Sequence, residues 1–349
     1  MRSLVVVCAI AFAILTPSLG SARQEGERTK YLLVGTVGTL AVHVRLTREG
    51  AALSGDYTYD PAKAALRPEF DALSLAGTIA PDGSVALNES SFRGDTETPT
   101  GKFAGKLTSG SDGARFEGTW SKPDGSSSLP VSLAEPRPSA GSVRIVKVQW
   151  AEKDARFKPV LSISYPRLDA TDARSAKFNT AVAAKISKEV ADYKSTIADD
   201  ERLKTGDLEG LALDITYEVT ASTASLVSVR FDAYTDFGGA HPATYVFVVN
   251  YDLAKGRELT FADLFKKGSG YARVVSGKCL ALLRSNKDFA PVDAVTVDDM
   301  KQWSLTPRAL RIALPTAHVL GDTVDAFIPY ADLGSILQPG GPASQMTAR

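Results

Sequence analysis

Leu226-Val-Ser-Val-Arg-Phe-Asp-Ala-Tyr-Thr-Asp-Phe-Gly-Gly-Ala-His-Pro-Ala-Thr-Tyr-Val-Phe-Val-Val-Asn-Tyr-Asp-Leu253 reads as strand, polar loop, strand. The two apolar stretches, Leu226–Tyr234 and Tyr245–Tyr251, predict strands that flank Asp236-Phe-Gly-Gly-Ala-His-Pro242. Adjacent glycines at 238 and 239 free the backbone for positive φ or for close approach of another group. Pro242 biases His241 away from the helical region. An aromatic ring and an imidazole are thereby held on a non-helical loop between apolar strands. Asp252-Leu-Ala-Lys-Gly256 then closes a turn, and Thr260-Phe-Ala-Asp263 is a capping-box variant that opens a short helix.

Working outward, Val143–Trp150, Phe157–Tyr165 and Leu213–Val219 read as strands, the last two by alternation. Residues 172–195 predict a long amphipathic helix, with Phe178, Val182, Ile186, Val190 and Tyr193 in one apolar stripe. A second helix is expected over 270–284, and a third capped by Thr296-Val-Asp-Asp299 and ending near Trp303. Strands follow at 310–314 and 324–328, with a helical turn at 331–337. Strands and helices mix without strict alternation, so residues 142–340 are expected to form an α+β domain with helices packed on a mostly antiparallel sheet.

The chain before residue 134 has a different grammar. A short unit recurs as Leu53-Ser-Gly-Asp-Tyr57, Leu75-Ala-Gly-Thr-Ile79, Phe103-Ala-Gly-Lys-Leu107 and Phe116-Glu-Gly-Thr-Trp120. In each, two apolar residues and a glycine share one face of a strand. Glycine on the inner face permits strong curvature or close approach of a neighbour. Pro81-Asp-Gly83, Asp112-Gly113 and Pro123-Asp-Gly125 supply turns between units. Residues 31–133 therefore predict an all-β antiparallel meander or small barrel. Ala134–Gly141, with two prolines, reads as a linker.

At 349 residues the chain has room for about two domains at roughly 150 residues each. Lys plus Arg and Asp plus Glu both number 40, which removes the electrostatic case for nucleic acid or an acidic membrane surface. Residues 1–22 read as a signal peptide: Arg2, an apolar run from Leu4 to Leu15, then small residues up to Ala22. The run is short of the ~20 residues a spanning helix needs, and no later stretch is long enough. The expected location is periplasmic or extracellular. Cleavage leaves Cys279 alone, in a helical pattern with Val275 and Leu282, which points to a buried inert thiol.

By Gly238-Gly-Ala-His-Pro242, Asn250-Tyr-Asp-Leu253 and Leu259-Thr-Phe-Ala-Asp-Leu-Phe265, the chain after the linker resembles the extracytoplasmic domain of the RsiV family. These are anti-sigma factors whose outer domain senses lysozyme. Residues from about 143 to 235, including Tyr165-Pro166 and Phe178-Asn179, resemble the domain that precedes it, which also stands in front of PdaC-type peptidoglycan deacetylases. The sequence contains neither the cytoplasmic sigma-binding segment and spanning helix of the former nor the metal-binding catalytic domain of the latter. The resemblance implies an envelope ligand-binding module.

No Gly-x-Ser-x-Gly elbow, His-Glu-x-x-His, phosphate loop or paired-cysteine pattern is present, so no catalytic residue, cofactor or metal ligand is assigned. Asp232, Asp236 and His241 are the best constellation for a metal-dependent or peptidoglycan-acting hydrolase, with His318 expected near His241 if its loop crosses the same sheet end. His43, on the polar parity of its strand beside Arg45, reads as part of a solvated face. The first reading is a module that binds a lysozyme-like protein or a wall glycan. Its expected ligand-binding residues are Phe237, Gly238, Gly239, His241 and Tyr245, because aromatic and amphipathic side chains dominate interface energetics. A hydrolase is the second reading and a structural envelope protein the third.

Overall fold

The computed structural model describes residues 29–59, 65–68, 72–93, 96–110, 113–287, 289, 292–317 and 321–347. The segment read as a signal peptide lies outside them, as does His318. Among the described residues no helix is long and apolar enough to cross a membrane.

Inner-face glycines allow the first sheet to close. Strands β1 (Thr29–Val37), β2 (Leu40–Glu49), β3 (Ala52–Tyr59), β5 (Leu73–Ile79), β6 (Ser84–Arg93), β7 (Thr96–Gly110), β8 (Gly113–Ser121) and β9 (Ser128–Ala134) form a closed antiparallel barrel. The barrel shuts where Val37 of β1 pairs with Val131 of β9. A Cβ on Gly55, Gly77, Gly105 or Gly118 would lie 1.9–2.3 Å from a carbonyl oxygen of the adjacent strand. Gly105 and Gly118 face each other directly across β7 and β8. The repeated glycine seen in the sequence thus marks where neighbouring backbones close in. Leu33, Val44, Leu53, Leu75, Phe103 and Phe116 fill the interior.

The connection between β3 and β5 does more than turn the chain. Within it, β4 (Ala65–Pro68) leaves the barrel and pairs with β19 (Thr323–Pro329) at the far end of the sequence. Leu66 packs against the core there.

Within the stretch read as a linker, β10 (Ser139–Ala140) pairs with β11 (Val143–Gln149). A seven-stranded sheet follows in the order β10-β11-β12-β13-β14-β15-β16, adding β12 (Leu161–Leu168), β13 (Leu211–Ser222), β14 (Leu226–Phe237), β15 (Ala243–Asp252) and β16 (Arg257–Glu258). Only β12 and β13 are parallel, because helices α1 (Ala173–Thr196) and α2 (Glu201–Thr205) lie between them in the chain. Asp172 caps α1 by accepting from the Arg174 and Ser175 amides, and the predicted apolar stripe is buried. It packs on Val227, Val229, Phe231 and Phe247, the last two rings stacked at 4.6 Å.

A third layer holds β17 (Trp303–Leu305), β18 (Ala309–Pro315), β19 and β4, with α3 (Tyr271–Ser285) against it. The helix expected from Thr296 to about Trp303 does not form. Thr296 and Asp299 do form reciprocal cap bonds, yet only one turn follows and Trp303 begins β17. The run Trp303-Ser-Leu305 is completely buried between layers, so tertiary burial overrides the cap.

The opposite face of the seven-stranded sheet is polar and covered. Ser228 donates to Asn250 Oδ1 at 2.6 Å and accepts from the Leu305 amide, while Asn250 Nδ2 donates to the Trp303 carbonyl at 2.7 Å. Tyr251 packs edge-on against Phe178. The Asn-Tyr-Asp-Leu motif therefore joins layers together.

Cys279 is free and completely buried in α3, and burial pushes its thiol up to about 12. Ellman's reagent should label it at least ~100-fold more slowly in the native chain than in guanidinium, since the thiolate is the nucleophile. Comparable rates would show the α3 core opening freely.

Candidate functional site

Gly238 is the pivot of the loop between β14 and β15. Its φ is +74°, a left-handed value that favours glycine. A Cβ there would also fall 1.7 Å from the Arg202 guanidinium. Arg202 accounts for the crowding: it donates to the Phe237 carbonyl at 3.0 Å, to the Glu209 carbonyl at 3.1 Å, and twice to Asp200. Tyr193, at the end of the α1 stripe, donates to the Asp236 carbonyl at 2.8 Å. Asp236 Oδ1 accepts from the Gly238 amide at 2.7 Å, which closes an Asx-type turn.

These straps hold Phe237 out in solvent. Phe237 is 42% exposed, and its ring rests on Tyr193 at 5.1 Å between centroids. Residues 238–242 are exposed. Gly239 has open space where a Cβ would stand, so only the first glycine of the pair is demanded by geometry. The Arg202 hydrogen bonds hold Asp200 down at about 2. A depressed carboxylate pKa keeps that strap charged until the pH falls through about 2, so mild acidification leaves the loop anchored.

The predicted residues divide into two groups. Phe237, Gly238, Gly239 and His241 lie together on the loop. Tyr245 stands apart on β15, half-buried, its hydroxyl donating to Glu189 Oε2 at 2.8 Å. Burial, reinforced by Glu189, raises its phenol further above the ordinary value. Tyr193, Arg202 and Glu189 were absent from the sequence-predicted set. Tyr193 is legible as the last member of the α1 stripe; Arg202 carries no signal, because only the fold brings α2 beside β14.

Asp232, Asp236 and His241 do not converge. Asp232 sits four residues before Asp236, roughly 13 Å along an extended strand, and accepts from Arg230 Nε at 2.9 Å. Asp236 is spent on its own turn. Among the described residues no group of three or more His, Cys, Asp or Glu side chains is placed to hold a metal ion.

A charged chain occupies the junction of the three sheets instead. Glu218, Arg311, Asp325, Arg230 and Asp232 alternate in sign. Arg311 reaches Glu218 at 2.8 Å and Asp325 at 2.6 Å, and Arg230 reaches Asp325 at 2.7 Å. The barrel wall adds His43, whose Nδ1 lies 3.4 Å from Glu218, and the Lys30–Asp214 ion pair. His43 is therefore half-buried at an interface rather than on the solvated face its parity predicted. An outward barrel position is covered here by the central sheet.

Comparison with known proteins gives partial matches. Residues 152–244 match the family model described as Deacetylase PdaC. The peptidoglycan-N-acetylmuramic acid deacetylase PdaC of Bacillus subtilis is 29% identical over 122 residues, which are 35% of this chain and 26% of that protein. The chain thus spans about a quarter of that relative's length. A crystal structure of a DUF3298 family member from Bacteroides fragilis is 18% identical, with a TM-score of 0.46, covering 61% of this chain and 100% of that one. A DUF3298 family protein from Pseudomonas aeruginosa PAO1 is 18% identical, with a TM-score of 0.37 over 58% and 95% of the two chains.

Proposed function

We propose that this protein is an exported cell-envelope binding module that recognises a lysozyme-like protein or a wall glycan through the loop at 236–242. The single observation behind this reading is the strapped, solvent-facing Phe237. A ring held out of the core by Arg202 and Tyr193 loses little freedom on binding, which is what preorganised recognition requires. His241 and the open Gly239 lie beside it and supply a polar contact and a clear approach.

The envelope assignment draws on the PdaC-type match at 152–244 and on the leader-like residues 1–22. Lysozyme as partner draws on the RsiV resemblance of Gly238-Gly-Ala-His-Pro242. The deacetylase activity in the relative's name belongs to a protein of which this chain matches 26%, and it is not carried over.

The test is capture of lysozyme, and separately of purified peptidoglycan, by the immobilised chain and by Phe237→Ala and His241→Ala. Phe237→Ala should weaken retention at least ~30-fold, the loss of a buried aromatic anchor of about 2 kcal/mol. His241→Ala should weaken it less. Unchanged capture by both variants, with wild-type melting curves, removes the loop from the binding surface.

A further inference from the structure

The two ends of the barrel differ in how their inward-facing positions are finished. Near the 79–84 and 107–114 connections Ile79, Val85, Leu107 and Ala114 are buried and seal the interior. At the opposite end four inward positions are less covered. Leu40 is 54% exposed and Tyr59 37% exposed, while Trp120 and Leu129 are half-buried. All four continue the alternation of buried residues further down their strands, so they form a rim around the mouth.

Glu89 stands just beneath this rim, at the inward position after Val85 and Leu87, and is 2% exposed. The Tyr57 hydroxyl and the Trp120 Nε1–H each donate to its Oε2 at 2.6 Å. The Tyr57 and Tyr59 hydroxyls are 3.1 Å apart, their rings edge-on at 5.4 Å. Among the described residues no cation pairs with Glu89, although a buried carboxylate ordinarily has one. At the bulge opposite, Thr100 carries a buried hydroxyl without a partner. The backbone is kept bare next door, since a Cβ on Gly101 would fall 2.2 Å from Trp120 Nε1.

A carboxylate fenced by aromatic rings beneath an apolar rim matches the chemistry of an ammonium ligand. The charge meets the carboxylate, the C–H bonds next to nitrogen meet ring faces, and the ligand's body lies on the rim. We propose that this end of the barrel binds a primary ammonium carried on an apolar or saccharide body, with Glu89 as its counter-ion and Tyr59 and Trp120 flanking it. Entry requires the solvent-facing Tyr59 ring to turn aside, a fast motion for an exposed side chain. The site is independent of the loop at 236–242.

The test titrates the full chain with hexylammonium and with glucosamine, following the tryptophan indole N–H signals by NMR. Trp120→Phe identifies the Trp120 signal by its loss. Hexanol, hexanoate and N-acetylglucosamine are the uncharged and anionic counterparts. At least one ammonium probe should shift the Trp120 signal saturably, with binding ~10-fold or more weaker for its counterpart and for Glu89→Gln. Which probe responds separates a lipid-like amine from a sugar amine. No shift with either, an equal shift with the counterparts, or unchanged affinity in a folded Glu89→Gln overturns the proposal. If Glu89→Gln does not fold, Tyr59→Leu replaces it: weaker binding supports the site, and unchanged affinity overturns it.

Discussion

Arg311→Met should lower the unfolding free energy by about 3–5 kcal/mol, the cost of breaking a buried ion pair from one side. Arg311 bridges Glu218 of β13 and Asp325 of β19, and its side chain is only 11% exposed. Methionine fills similar volume but leaves Glu218 without its guanidinium and takes one of the two guanidiniums from Asp325. Against a total of roughly 5–15 kcal/mol, this is a large share of the stability. Adding Glu218→Gln should restore about 1–2 kcal/mol by removing a stranded charge. Denaturant melts measure both. A loss under about 1 kcal/mol would place the network among exposed pairs and remove it from the account of what joins the sheets.

The same network sets a pH dependence. Burial disfavours ionisation of Glu218 and Asp232, but neighbouring charges outweigh it, led by Arg311 for the first and Arg230 for the second. Both carboxyls are held below the ordinary range. Their contribution is full above the unfolded value of about 4 and is lost as the pH falls through the depressed folded value. Between about pH 5 and pH 3 the wild type should lose more stability than Arg311→Met. Parallel slopes would contradict this.

Gly105→Val should destabilise the barrel by at least ~3 kcal/mol, at the top of the overpacking range. Its Cβ would meet the Glu117 carbonyl oxygen at 2.3 Å, the Gly118 Cα at 2.7 Å and the Phe116 ring at 2.8 Å. Two of these three contacts are backbone atoms of a strand paired on both sides, which cannot retreat without breaking the closure. Gly110→Ala is the control, because nothing lies within 4 Å of its Cβ. It should change stability by less than about 0.5 kcal/mol. Equal effects in the two variants would refute the close-approach explanation of the repeated glycine.

Much of the local structure was legible. The apolar-Gly-apolar units forecast a strand face on which backbones nearly touch, and the stripe from Phe178 to Tyr193 forecast α1 almost to its ends. The loop residues Phe237 to His241 are contiguous in sequence, so they arrive together without help from the fold. Tyr245 reads as an aromatic contact from the sequence, yet its hydroxyl is committed to Glu189. Asp232 and Asp236 looked like partners because four residues separate them on paper. An extended strand carries them apart, and Arg230 takes the first while the loop's own amide takes the second.

Periodicity and turn chemistry act over a few residues, and on their own they determined most of the strands, α1, the capped turns and the exposed loop at 236–242. The tertiary structure decided the rest: the donation of β4 to β19, the placement of Arg202 under Phe237, the carboxylate beneath the barrel mouth, and the charge chain from β13 to β19. Each of these joins residues far apart in the chain, as with the 95 positions separating Arg230 from Asp325. Such pairs leave no local pattern because their partners are chosen by layer packing, where a buried polar group or charge must find hydrogen-bond or ionic partners from other elements.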